Sequence, residues 1–98
     1  MAEREFVNAV EMRPYDAGRL VEFTTMCTHE MEADGHGETG SQVTFRGRVV
    51  TVANGMTFGR GWSQITLDPD DGMPRVTSVL GGHRHVELLP EPGSADRP

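Results

Sequence analysis

Apolar and polar residues alternate over several short stretches of the chain, which is the pattern of β-strands with one buried face. Within residues 19–27, one face of the predicted strand is uncharged, and we expect it to be buried. Its members are Val21, Phe23, Thr25 and Cys27. The opposite face carries Leu20, Glu22, Thr24 and Met26.

The clearest alternation lies at residues 43–53, where one face is predicted to point inward. That face consists of Val43, Phe45, Val49 and Ala53. Gly47 interrupts it and predicts a bulge or bend at that position. Asn54-Gly55 is a typical hairpin turn sequence, and the glycines of 54–61 allow the turn to widen into a loop around Met56 and Phe58.

Three shorter strands are predicted at 62–67, 75–80 and 84–89, separated by the turn sequences 68–72 and Gly81-Gly82. Within these strands, the residues expected to point inward are Ile65, Leu67, Val86 and Leu88. Five strands at this spacing predict a mainly β fold, a small and strongly curved antiparallel barrel.

The predicted barrel domain spans residues 15–90, and the remaining segments differ from it in pattern. Residues 1–14 fit either a short amphipathic helix or an edge strand. Residues 28–42 are polar and Gly-rich, and they are predicted to form a mobile loop within the domain. Residues 91–98 are predicted to be a disordered tail.

Composition and charge argue against several classes of protein. The 98 residues fit one domain, and the nine cations, all Arg, leave a net charge of −6. Such a chain is a poor general binder of nucleic acid. The single cysteine excludes an intramolecular disulfide. No apolar run reaches the about 20 residues needed to span a bilayer, and the N-terminus lacks a signal-type apolar segment, so we expect a cytoplasmic location and no membrane partner.

The stretch 43–90 resembles the small five-stranded barrels of the Tudor and KOW kind. The matching segments are Gly47–Val52, Trp62–Leu67, Asp71-Gly72 and Val86–Pro90. The resemblance implies a domain that binds peptides, modified side chains or nucleic acid rather than a catalyst. The chain departs from both families. Only Trp62 and Phe58 could form a Tudor-type aromatic cage, and KOW modules usually occur in basic chains, whereas this chain is acidic. The oligonucleotide-binding fold fits the strand count almost as well.

Charge asymmetry gives the predicted binding site. Residues 39–67 contain no acid but three arginines. Outward-pointing residues of two neighbouring strands then predict a shared surface of types common at interface hot spots. Its members are Arg46, Arg48, Arg60, Trp62 and Gln64. In the alternative interpretation, Trp62 closes one end of the barrel and Arg46 lies over its ring in a cation–π contact.

Each apparent catalytic or cofactor motif lacks a required element. Gly35–Gly40 matches G-x-G-x-x-G, but a polar loop precedes it and a strand follows. His29-Glu30 begins a zinc-protease motif that has Ala33 in place of the second histidine. Cys27 lies on the predicted buried face, which disfavours a reactive thiolate. We therefore expect no catalysis and no cofactor.

A metal site is the weakest alternative. Two pairs of potential ligands have two-residue spacing, which puts each pair on one face of a strand. The pairs are Cys27 with His29, and His83 with His85. This spacing matches no zinc-finger class, so no metal is predicted.

The sequence therefore predicts a non-enzymatic binding module that acts as a protein-interaction accessory or regulatory factor. A nucleic-acid-binding barrel that uses the Arg/Trp face is the second hypothesis, and a small metal protein is the third. The acidic segment 30–38 is either a solvated loop or an arm for a basic partner. An exposed edge strand is also expected to allow pairing with a second copy.

Overall fold

The computed structural model describes residues 5–81 and 84–90. Its six strands form one antiparallel sheet in the order β1-β6-β2-β3-β4-β5. The strands are β1 (Glu5–Asn8), β2 (Leu20–Met26), β3 (Gln42–Thr57), β4 (Arg60–Pro69), β5 (Val76–Gly81) and β6 (His85–Leu88). The mainly β prediction is confirmed, with six strands in place of five. The predicted tail, 91–98, lies outside the described residues.

The additional strand comes from the N-terminal segment, for which the sequence allowed a helix or an edge strand. Glu5–Asn8 pairs with β6 and forms one edge of the sheet. Two 3₁₀ turns follow, at Ala9–Glu11 and Pro14–Asp16. The edge-strand alternative is therefore the correct one for residues 5–8.

The connection at 28–42 was expected to be a loop without regular structure, and here the structure differs. It begins with a short helix, α1 (His29–Ala33). The Thr28 hydroxyl accepts a hydrogen bond from the amide of Met31 at 3.2 Å and caps this helix. The Met31 side chain is 2% exposed and joins the core. The buried Met31 and the Thr28 cap stabilise this helix, although the segment has no apolar periodicity.

The inward faces of the strands form the core, as their alternation predicts. The predicted inward faces of β2, β4 and β6 are all buried. Thr25 and Cys27 belong to this buried set. The remaining members are Val21, Phe23, Ile65, Leu67, Val86 and Leu88. Hydrophobic burial of this face accounts for the strand pattern in the sequence.

β3 departs from simple alternation at a β-bulge. Val49 pairs with Leu67 and Thr51 with Thr66, which leaves Val50 without a cross-strand partner. The extra residue reverses the faces beyond it, so that Val52 is buried and the position after it is exposed. The prediction that Ala53 points inward is therefore wrong, and so is the bulge predicted at Gly47.

The predicted turn at Asn54-Gly55 is also wrong. Both residues belong to β3 and pair with β4. The Asn54 side chain donates hydrogen bonds of 2.8 Å to the Met12 carbonyl and to the Ser63 hydroxyl. The chain turns instead at Phe58-Gly59, where φ is 51° and 76°. These left-handed angles are typical of the tight turns that suit the twist of a hairpin.

The sheet curls around its core. Thr25 on β2 and Ser78 on β5 belong to strands that are not neighbours, yet their hydroxyl oxygens lie 3.2 Å apart in the interior. Ser63 on β4 donates a 2.6 Å hydrogen bond to the Ala9 carbonyl. The first 3₁₀ turn, which follows β1, therefore contacts a strand that is not a neighbour of β1 in the sheet. Within 5–81 and 84–90, no ladder joins β1 to β5, and the sheet is open there. No helix in these ranges is long and apolar enough to cross a membrane.

Candidate binding surfaces

The predicted Arg/Trp face is divided into two separate regions. Arg48 lies opposite Asp68 and Gly55 lies opposite Trp62, so Arg48 and Trp62 are separated by six positions of β4. That separation corresponds to about 20 Å at the usual rise of a strand. Arg46 is farther still from Trp62, and the predicted cation–π contact between them is wrong. The five predicted site residues therefore do not form one surface.

Carboxylates accompany the arginines at the first of these regions. Arg46 Nε lies 3.1 Å from Asp70 Oδ2, and Arg46 also faces Glu22 across β2. Arg48 donates to the Gly18 carbonyl at 2.9 Å and is paired in register with Asp68. These neighbours offset the positive charge that the acid-free sequence stretch suggested.

Asp68 itself binds another arginine. Arg75 Nε donates to Asp68 Oδ1 at 2.7 Å, and its Nη2 donates to Oδ2 at 3.1 Å. This two-point contact holds the pKa of Asp68 below its ordinary value, so the carboxylate stays charged beside Arg48. The base of the β3–β4 hairpin is thus a surface of mixed charge.

The second region is the end of the β3–β4 hairpin. Phe58 occupies the turn with its side chain 100% exposed, and Met56 beside it is 72% exposed. Arg60 and Trp62 follow on β4. We call Met56, Phe58, Arg60 and Trp62 the hairpin tip. The sequence indicated two of these four residues as a site and assigned the other two to a loop.

Trp62 is held in place at the hairpin tip by its neighbours. A Cβ added to its cross-strand partner Gly55 would lie 2.1 Å from Cζ2 of the indole, so the ring lies directly against that glycine. The indole Nε1 donates to the Thr57 hydroxyl at 3.0 Å. Gln64, the next outward residue of β4, is exposed between Ala53 and Val79.

A groove of about 540 Å³ separates β5 from the junction of β2 and α1. Its apolar lining includes Met26 and Val79, which are 57% and 61% exposed. His29, Glu30 and Thr77 also line it. The alternation of apolar and polar residues did not predict this groove. The adjacent pair Val79-Leu80 could have indicated it. Only one of two consecutive strand residues can point into the core, so the other is an exposed apolar side chain.

Glu32 fixes the connection that follows α1. The amide of Thr39 donates to Glu32 Oε1 at 3.2 Å, and the Thr39 hydroxyl donates to the same oxygen. These hydrogen bonds, with a smaller contribution from His29, hold the pKa of Glu32 below its ordinary value. Glu32 therefore has a structural role in the acidic segment.

Among the described residues, those considered for a metal or a nucleophile do not form a cluster. Cys27 is 2% exposed, and burial together with the charge of Glu32 raises the pKa of its thiol. The His85 ring lies 6.2 Å from that of Phe6. His83 lies outside the described residues. Within 5–81 and 84–90, no three His, Cys, Asp or Glu side chains are arranged to hold a metal ion.

No protein-family model matches the chain, and comparison with curated proteins and with solved structures gives no match. The sheet and its order therefore define the class, a small mainly β domain. The resemblance to Tudor and KOW barrels stays a prediction.

Proposed function

We propose that this protein is a non-enzymatic binding module that docks on another protein through the hairpin tip. One observation carries the proposal: Phe58 is fully exposed at the apex of a long hairpin, next to an exposed Met56. Exposed apolar clusters of this kind are typical of interaction sites. A partner that covered the two side chains would gain the free energy of burying them.

The composition and rigidity of the hairpin tip support the same function. Aromatic residues, methionine and arginine are enriched in protein interfaces, and all three types occur here. The contact of Trp62 with Gly55 and its hydrogen bond to Thr57 restrict the indole before any partner arrives. A side chain that is already ordered loses less conformational entropy on binding.

We also propose a specific shape for the sheet. We propose that the curled sheet is a half-closed barrel, comparable in shape to the Tudor and KOW barrels that present binding surfaces on a small frame. The contact between Thr25 and Ser78 across the interior supports this view, as does the contact of the first 3₁₀ turn with Ser63.

Binding of nucleic acid is less well supported. Arg46 lies beside Asp70, and Arg48 faces Asp68, so neither is a free cation available to a phosphate chain. A complex that nuclease treatment abolished, and that weakened steeply with salt, would favour nucleic acid over a protein partner.

The proposal is tested by affinity capture of the full chain from native lysate, with quantitative mass spectrometry of the bound proteins. Phe58→Ser and Met56→Ser should each lose a protein that the unchanged chain retains. Tyr15→Ser is the matched control, because Tyr15 is 82% exposed outside the hairpin. If Phe58→Ser retains every partner that Tyr15→Ser retains, the hairpin tip is not the docking surface.

A further inference from the structure

β5 is an edge strand of the sheet. Apart from β4, no strand of the described residues pairs with it. Half of the backbone amides and carbonyls of an edge strand point away from its single neighbour and are free to pair with another chain. The side chains of β5 carry no charge between Val76 and Gly81. Charged edge residues, which commonly block such pairing, are thus missing from this strand.

The groove gives such a chain a place to lie. It runs beside β5 and is closed on its other side by Met26 and the start of α1. Met26 and Val79 are more than half exposed and line the groove from opposite sides. An extended segment against β5 would therefore pair its backbone with the strand and bury apolar side chains between these two residues.

The charge around the groove indicates the chemistry of its occupant. Glu30 lines the groove, and its lining includes no arginine or lysine. An arginine or lysine in the added segment would complement Glu30, and the residues on either side of it in an extended strand would point to the other face.

We propose that an extended segment of a partner protein, with alternating apolar and basic residues, binds in this groove and adds a strand to β5. This inference goes beyond the docking function of the hairpin tip, since it uses a different surface and a different recognition mode. Backbone pairing supplies affinity in strand addition, while side-chain pockets supply specificity.

A second copy of this chain is a poorer occupant than a basic partner. Pairing of two β5 strands about a twofold axis would bring the Glu30 residues of both copies to the same interface. Each copy also carries a net charge of −6. Like charges at an interface oppose association, so the electrostatics select a partner of opposite sign.

The test uses ¹⁵N-labelled full-length protein and a synthetic peptide of alternating Val and Arg. We expect amide shift changes along Val76–Gly81 and Met26–Glu30 when this peptide is added. A peptide in which Glu replaces each Arg should not bind. An Arg peptide with alternate backbone nitrogens methylated should also fail, because it lacks the amides that pair with β5.

Two variants locate the contact. Val79→Lys should weaken binding of the Val–Arg peptide about tenfold through loss of apolar burial. Glu30→Lys should weaken it about fivefold. The matched control is Glu5→Lys, which makes the same charge change on the opposite edge strand and should leave the affinity unchanged.

Three outcomes would overturn the proposal. The first is no binding of the Val–Arg peptide, or shift changes at other residues. The second is equal binding of the Glu peptide. The third is a dimer in analytical ultracentrifugation that Val79→Lys abolishes, which would assign the groove to a second copy. None of these measurements depends on the hairpin tip, so failure here leaves the docking proposal intact.

Discussion

The indole of Trp62 lies directly against Gly55, its cross-strand partner in the β3–β4 hairpin. A Cβ at position 55 would lie 2.1 Å from Cζ2 and 2.5 Å from Cε2 of the ring. Both distances are far below van der Waals contact, so any residue with a side chain must displace the indole. The absence of a side chain on β3 therefore fixes the position of the largest aromatic residue at the hairpin tip.

Gly55→Ala should move Trp62 away from the strand and expose it. We expect a red shift of tryptophan fluorescence and a loss of about 1 kcal/mol in the free energy of unfolding. The signal is unambiguous because the chain has one tryptophan. Thr51→Ala is the control, an exposed position of β3 away from the indole. An emission spectrum of Gly55→Ala identical to that of the control would contradict the contact.

Gly47→Ala should be more damaging than Gly55→Ala. A Cβ at position 47 would lie 2.0 Å from the Asp68 carbonyl oxygen and 2.8 Å from Pro69 Cα. These are backbone atoms and cannot turn aside as an indole can, so the two strands must separate. We expect a loss of about 3 kcal/mol, measured by urea unfolding. A loss no larger than that of Gly55→Ala would show that the strands relax at this point.

Gly47 also illustrates how far the sequence predicts the fold. Alternation predicted the buried faces of β2, β4 and β6, because hydrophobic burial acts on each strand separately. The glycine in β3 was expected to mark a bulge, but its role is to let β4 approach closely. The bulge lies at Val50 instead. Register between strands depends on such tertiary contacts, which a single strand's pattern does not contain.

The dependence of strand register on tertiary contacts also explains why the predicted Arg/Trp face is divided into two regions. Trp62 and Arg48 were placed correctly on the outer face, because facing follows from alternation. Their separation along the hairpin depends on where it turns. Asn54-Gly55 would have brought the turn closer to Arg48, whereas the chain turns at Phe58-Gly59. The longer hairpin separates the two residues and creates the hairpin tip.

Ser63→Ala should loosen the first 3₁₀ turn from the sheet. The buried Ser63 hydroxyl donates to the Ala9 carbonyl and accepts from Asn54, so its removal leaves the Ala9 carbonyl without this donor and takes one of two acceptors from the Asn54 amide. We expect a loss of about 2 kcal/mol in thermal or urea unfolding. Ser78→Ala, which removes one buried hydrogen bond to Thr25, should cost less. Equal losses in the two variants would mean that the Ser63 network has no special role.

Thr39→Val should change the pH dependence of stability through Glu32. The Thr39 hydroxyl and amide lower the pKa of Glu32 in the folded protein, so they favour the folded state when the carboxylate is ionised. This stabilisation is present above the unfolded pKa of the glutamate and is lost as the pH falls through the folded pKa. Removal of the hydroxyl should raise the folded pKa toward its ordinary value, because only the amide donor remains.

Carbon-detected NMR titration of the Glu32 carboxyl in the unchanged chain and in Thr39→Val measures the shift directly. Urea unfolding across the acid range should show a stability difference at neutral pH that shrinks as the carboxyl becomes protonated. Thr77→Val is the control, because it removes the contact of that hydroxyl with Thr66 and does not touch Glu32. A stability difference that stayed constant from neutral to acid pH would assign the effect of Thr39 to packing, since packing does not depend on the charge of Glu32.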